Sequence, residues 1–76
     1  MKMNNEYRYL SLHQKMAILA QELVERDLPL KESVKEFEKL FIAAAEKKYK
    51  GNKTRMAEAM GIHRNTLHNL YKSLDL

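Results

Sequence analysis

The sequence predicts an all-α chain of four helices, and three observations lead there. Apolar residues recur at steps of three and four along most of its length, the period of one helix face. The strong breakers are few (Pro29, Gly51 and Gly61), and each falls between two such segments. The chain has no alternating apolar–polar run of the kind a half-buried strand needs, and no internal repeat.

Residues 1–10 are polar and mixed, with no apolar stretch after Lys2, and read as a flexible N-terminal segment that is not a signal peptide. The first helix starts near Ser11. Ser11 and Gln14 have capping-box spacing, in which each side chain satisfies a backbone N–H of the opening turn. Leu12, Met16, Leu19 and Leu23 then form one stripe, broadened by Ile18 and Val24. The helix ends near Arg26 and Asp27, because Pro29 disfavours helical geometry at Leu28.

The second helix is expected from Leu30 to Tyr49. Its main stripe is Val34, Phe37, Phe41, Ala44 and Ala45, with Leu40 and Ile42 on the flanks. Glu32, Glu36 and Glu46 can pair with Lys35, Lys39 and Lys50 as a solvated face. Gly51 suits a left-handed C-terminal cap. Asn52 caps a third helix, Lys53 to Met60, which Gly61 ends. The fourth helix runs from about Arg64 to Leu74, with Leu67, Leu70 and Leu74 inward. Met16, Met56 and Met60 stand at core spacing, and Tyr49 and Tyr71 are expected to pack at helix ends.

Bulk composition narrows the function classes. A chain of 76 residues makes one small domain, which buries only about 60% of its unfolded surface. Without cysteine it has neither disulfides nor thiolate zinc sites, so pairing with a second copy is the natural remedy. No run approaches the roughly 18 apolar residues of a membrane span, and the chain reads as cytoplasmic. Of the net charge of +4, residues 1–46 carry −1 and residues 47–72 carry +6. A near-neutral front joined to a basic back suggests a scaffold bearing a polyanion-binding part. His13, His63 and His68 have no i, i+3 or i, i+4 spacing, so no metal or other cofactor is expected. Ser11, Ser33 and Ser73 lie in no nucleophile motif, and no catalysis or small-molecule substrate is expected.

The informative spacing lies between Met56 and Leu70. A helix-turn-helix needs two short helices crossing steeply around a tight turn. Ala57 offers a small residue where the helices approach, Gly61 tolerates positive φ in the turn, and Ile62 can plug the core. Leu67 and Leu70 can anchor the second helix on the first. The start of that helix carries His63, Arg64, Asn65 and Thr66, where a recognition helix points at base edges in the major groove. Arginine can donate two hydrogen bonds to guanine O6 and N7. Asn52, Thr54 and Thr66 are short groups suited to phosphate oxygens, and Lys53, Arg55 and Lys72 can neutralise phosphates.

The run Gly51-Asn52-Lys53-Thr54-Arg55-Met56-Ala57-Glu58-Ala59-Met60-Gly61-Ile62, followed by Arg64-Asn65-Thr66-Leu67, resembles the Fis-type DNA-binding domain. That domain occurs in the nucleoid protein Fis and closes NtrC-type, sigma-54-dependent bacterial enhancer-binding transcription activators. The entry Leu30-Lys31-Glu32-Ser33-Val34 extends the likeness to the stretch from Leu30 to Leu76. The resemblance implies a four-helix Fis-like fold over residues 11–76, with dimerisation helices over 11–50 and the helix-turn-helix over 52–74. It implies a homodimer on a palindromic double-stranded site, in the bacterial nucleoid.

Carried over residue by residue, Arg64 becomes the main base reader, with His63, Asn65 and His68 beside it. Asn52, Lys53, Thr54, Arg55, Thr66, Asn69 and Lys72 become backbone contacts. Leu12, Met16, Leu19, Leu23, Val34, Phe37, Leu40 and Phe41 become the dimer face. The chain departs from the pattern at Met56, where the family carries alanine, and at His63, where serine or asparagine is usual and caps better. His68 and Asn69 stand where arginine or lysine is frequent. An activator's full chain would add a phosphate-binding ATPase domain, and no G-x-x-x-x-G-K-[ST] run occurs here. The chain is therefore expected to be an excised domain or a free-standing regulator. The rival expectations are a free-standing DNA-bending nucleoid protein and a dimeric helical adaptor whose helix-turn-helix contacts protein. RNA is disfavoured, because the A-form major groove is too narrow for a recognition helix.

Overall fold

A computed structural model describes residues 9–76. The flexible segment expected over residues 1–10 lies almost wholly outside the described residues. Four helices follow in order: α1 (Leu12–Glu25), α2 (Leu30–Tyr49), α3 (Lys53–Met60) and α4 (Arg64–Ser73). No strand occurs among the described residues, and the all-α class is as the periodicity predicts.

Local chemistry fixes each boundary. Gln14 donates its backbone N–H to Ser11 Oγ at 3.0 Å, and Ser11 donates its own to Gln14 Oε1 at 2.8 Å, so the capping box is complete. Asp27 takes a left-handed φ of 56° just past the end of α1, and Leu28 donates back to the Leu23 carbonyl. At the end of α2 the left-handed geometry is shared, with φ of 52° at Lys50 and 75° at Gly51. Gly51 is the second residue of that corner rather than the whole of it. Asn52 then accepts the Arg55 backbone N–H at 3.2 Å and caps α3. Gly61 closes α3 at φ 70°, and Ile62 donates back to the Ala57 carbonyl.

The chain divides into two compact units, one ending at Ser33 and one spanning Val34–Leu76. In the first, none of the residues of α1 is buried. Leu12, Met16 and Leu19 are exposed, and Leu23 is half-buried. Met16 is therefore not a core residue of this chain, despite its spacing.

The second unit holds the core. Ile42 and Ala45 of α2 meet Met56 and Ala57 of α3 and Leu67 and Leu74 of the α4 segment. Tyr49, Met60, Ile62, Leu70 and Tyr71 pack half-buried around them. This corrects the expected stripe on α2. Val34, Phe37 and Phe41 are exposed and Ala44 is exposed, whereas Ile42, placed on a flank, is 1% exposed. Residues 42, 45 and 49 recur at helical steps and form the inward line. The stripe of larger side chains lies on a different face of the same helix, where Phe37 and Phe41 stack edge to face with centroids 5.9 Å apart. Met56 is fully buried, so a flexible side chain fills a position at the centre of the core cluster.

Candidate nucleic-acid interface

α4 has two faces with no residue in common. Leu67, Leu70, Tyr71 and Leu74 turn toward the core, buried or half-buried. Arg64, His68 and Lys72 recur every fourth residue on the outer side, with Asn65, Thr66 and Asn69 also exposed. His63, Arg64, Asn65, Thr66 and His68 line one open depression at the start of the helix. No carboxylate occurs along Arg64–Ser73, so nothing on this helix repels an anion.

The same end of α4 presents backbone donors. His63 occupies the N-cap in extended geometry but makes no side-chain cap bond, as its poor capping chemistry predicts. The first-turn N–H groups of a helix have no carbonyl partner within it. Together with the helix dipole, they make this end favourable to a phosphate oxygen.

On α3, Thr54 and Arg55 are exposed. Asn52, also exposed, uses its side-chain oxygen to cap the helix. Lys53 stands apart from the other expected backbone contacts. Its ammonium donates to the Tyr71 hydroxyl at 3.0 Å and to Glu46 Oε2 at 3.5 Å, and leans over the Tyr71 ring, 4.4 Å from the centroid. Tyr71 donates in turn to the same Glu46 oxygen at 2.8 Å. Three helices thus meet at one carboxylate.

Glu46 was expected to pair with Lys50, one turn away. It pairs instead with Lys53, across the Lys50–Gly51 corner. The expected Glu32–Lys35 and Glu36–Lys39 pairs are likewise not formed; among the described residues the ion pairs are Glu22–Arg26 and Glu46–Lys53. Glu46 and Tyr71 are the two site-bearing residues that spacing misses. The available signal was Lys53 itself, which leads into Met56, Ala57 and Met60 at helical steps and so starts on the inward side of α3.

The cluster also changes acidities. The hydrogen bond it donates to Tyr71 raises the Lys53 ammonium above its ordinary value of 10.5, outweighing desolvation. Burial pushes the Tyr71 hydroxyl above its ordinary 10.0, against the opposing pull of Lys53. Both groups hold their protons more tightly folded than unfolded. The stability they supply is complete below about pH 10 and falls as the pH rises through the folded values. Urea midpoints measured between neutral and alkaline pH should show this loss, and Tyr71→Phe should weaken it.

No described helix is long and apolar enough to cross a membrane. Comparison with curated proteins and with solved structures gave no match. Residues 33–69, just under half of the chain, match the family model described as "Bacterial regulatory protein, Fis family". The matched segment runs from the first turn of α2 through the Gly61 turn and the first part of α4, and over that stretch the chain is similar to this family.

Proposed function

We propose that this chain is the sequence-specific double-stranded DNA-binding part of a bacterial transcription activator of the NtrC type, acting as a homodimer without catalysis of its own. The observation that carries the reading is the outer face of α4, where Arg64, Asn65, Thr66 and His68 stand exposed around one depression on a helix without acidic residues. α4 enters the major groove at its N-terminal end. Arg64 reads a guanine edge, and His63, Asn65 and His68 contact neighbouring bases. Asn52, Thr54, Arg55, Thr66, Asn69 and Lys72 hold the phosphates on either side.

The apolar residues left exposed on one subunit support pairing. Leu12, Met16 and Leu19 in the first unit, and Val34, Phe37, Leu40 and Phe41 in the second, are all about half exposed or more, and exposed apolar side chains in such number mark interaction surfaces. Two copies joined there read a palindromic site whose half-site centres lie about 34–36 Å apart. The dimer tethers and orients whatever regulatory machinery accompanies it at an upstream site.

Arg64→Ala tests the reading directly. It should cost about 1–3 kcal/mol on the preferred site and relax selectivity at one base position per half-site. The preferred site comes first from selection in a randomised duplex library. A wild-type chain that binds no duplex at low salt would favour the adaptor reading. Unchanged affinity and selectivity in Arg64→Ala would remove Arg64 from the base-reading role.

A further inference from the structure

The polar cluster at Glu46 lies outside the surface just described, and its geometry ties it to that surface. Arg64 and Tyr71 are seven residues apart on α4. Two turns of an α-helix bring residues so spaced back to nearly the same side, about 10 Å along the axis. Tyr71, on the inward side, therefore stands two turns beyond Arg64 and only about 20° around the axis from it. In the core cluster, α4 contributes Leu67 and Leu70, with Leu74 just past its end, and apolar contacts have little directional preference. The Tyr71 hydroxyl is different. It donates to Glu46 of α2 at 2.8 Å and accepts from Lys53 of α3 at 3.0 Å, within the narrow range that hydrogen bonds tolerate.

We infer that Glu46, Lys53 and Tyr71 are a positioning set that fixes the roll of α4 about its own axis, and that Lys53 serves recognition through this set rather than by touching phosphate. The inference rests on the DNA-binding reading above. A roll of 20° carries an atom about 6 Å from a helix axis through about 2 Å. That displacement is large beside the tolerance of a two-bond contact between an arginine and a guanine. Fixing Tyr71 thus fixes where the Arg64 guanidinium points. Pairing also neutralises Lys53 locally: its ammonium shares Glu46 Oε2 with Tyr71, so a phosphate would have to displace an existing partner.

The test uses the whole chain at a temperature where circular dichroism shows each variant folded. Tyr71→Phe keeps the ring under the Lys53 ammonium and removes only the hydroxyl. It should lower the ratio of preferred-site to random-duplex affinity about three- to tenfold, with random-duplex affinity unchanged. Lys53→Met should lower the ratio similarly and leave the slope of log K against log salt unchanged, whereas loss of a phosphate contact would reduce that slope by about one. The double variant should lose less than the two single losses combined, because each breaks the same cluster. In the free protein, Tyr71→Phe should shift the backbone amide resonances of residues 64–69. An unaltered affinity ratio in Tyr71→Phe, unmoved resonances, or a slope reduced by about one in Lys53→Met would each overturn the inference. A wild-type chain that binds no duplex would defeat the DNA-binding reading instead, and the resonance measurement would still decide whether the cluster seats α4.

Discussion

Leu67→Ala is expected to destabilise the helix-turn-helix unit by about 2–5 kcal/mol, the largest effect of any single truncation on α4. Leu67 is 1% exposed, and Ile42, Ala45, Met56, Ala57 and Leu74 complete the same cluster. Removing its branched end leaves a void whose walls belong to three helices, so collapse on one side opens a gap on another. A domain of this length has a total stability on the order of 4–11 kcal/mol. The substitution therefore takes a large fraction of it, and a urea midpoint measured by circular dichroism reads the loss directly. Leu67→Ala unfolding at the wild-type midpoint would mean that the cluster is not the stabilising centre of this unit.

Phe37→Asp is expected to split the proposed dimer and to reduce affinity for a palindromic site by a hundredfold or more. Phe37 is 47% exposed and stacks on Phe41, itself 48% exposed. A carboxylate there leaves the buried line of Ile42 and Ala45 untouched, so the helix-turn-helix should stay folded. In the pairing proposed above, however, the charge would be desolvated against apolar side chains. Once the halves separate, the second half-site is no longer held at high effective concentration, and the gain from bivalent binding, about 10²–10⁴-fold, disappears. Sedimentation equilibrium reads the assembly and a gel shift reads the affinity. A Phe37→Asp chain that still sediments as a dimer would remove α2's exposed stripe from the interface.

The sequence made the helix ends easy to read, because their signals are local. Ser11 with Gln14, Asn52 with the Arg55 amide, and Gly61 after Met60 each act within three or four residues, and the structure places all of them as expected. What distance along the chain hides was harder. α2 carries apolar residues on two faces, and the bulkier stripe of Val34, Phe37 and Phe41 outweighed the line of Ile42, Ala45 and Tyr49 that the fold buries. Periodicity finds apolar faces but does not say which partner covers each. Lys53 raised the same difficulty in polar form. Its two partners lie 7 and 18 residues away, beyond the reach of a local pairing rule, so it read as one more free cation in a basic segment. The outer residues of α4 were legible for the opposite reason: a polar residue on the side away from an apolar line is exposed in almost any packing of that helix.

That division of α4 has a consequence for how such a chain can change. The side chains that seat the helix and those that face outward occupy different positions, so exchanges at Asn65, His68 or Asn69 carry only the small stability cost usual for open surface, within about 0.5 kcal/mol. In the DNA-binding reading proposed above, a lineage could therefore change which bases it reads through these few letters while its frame stays unedited.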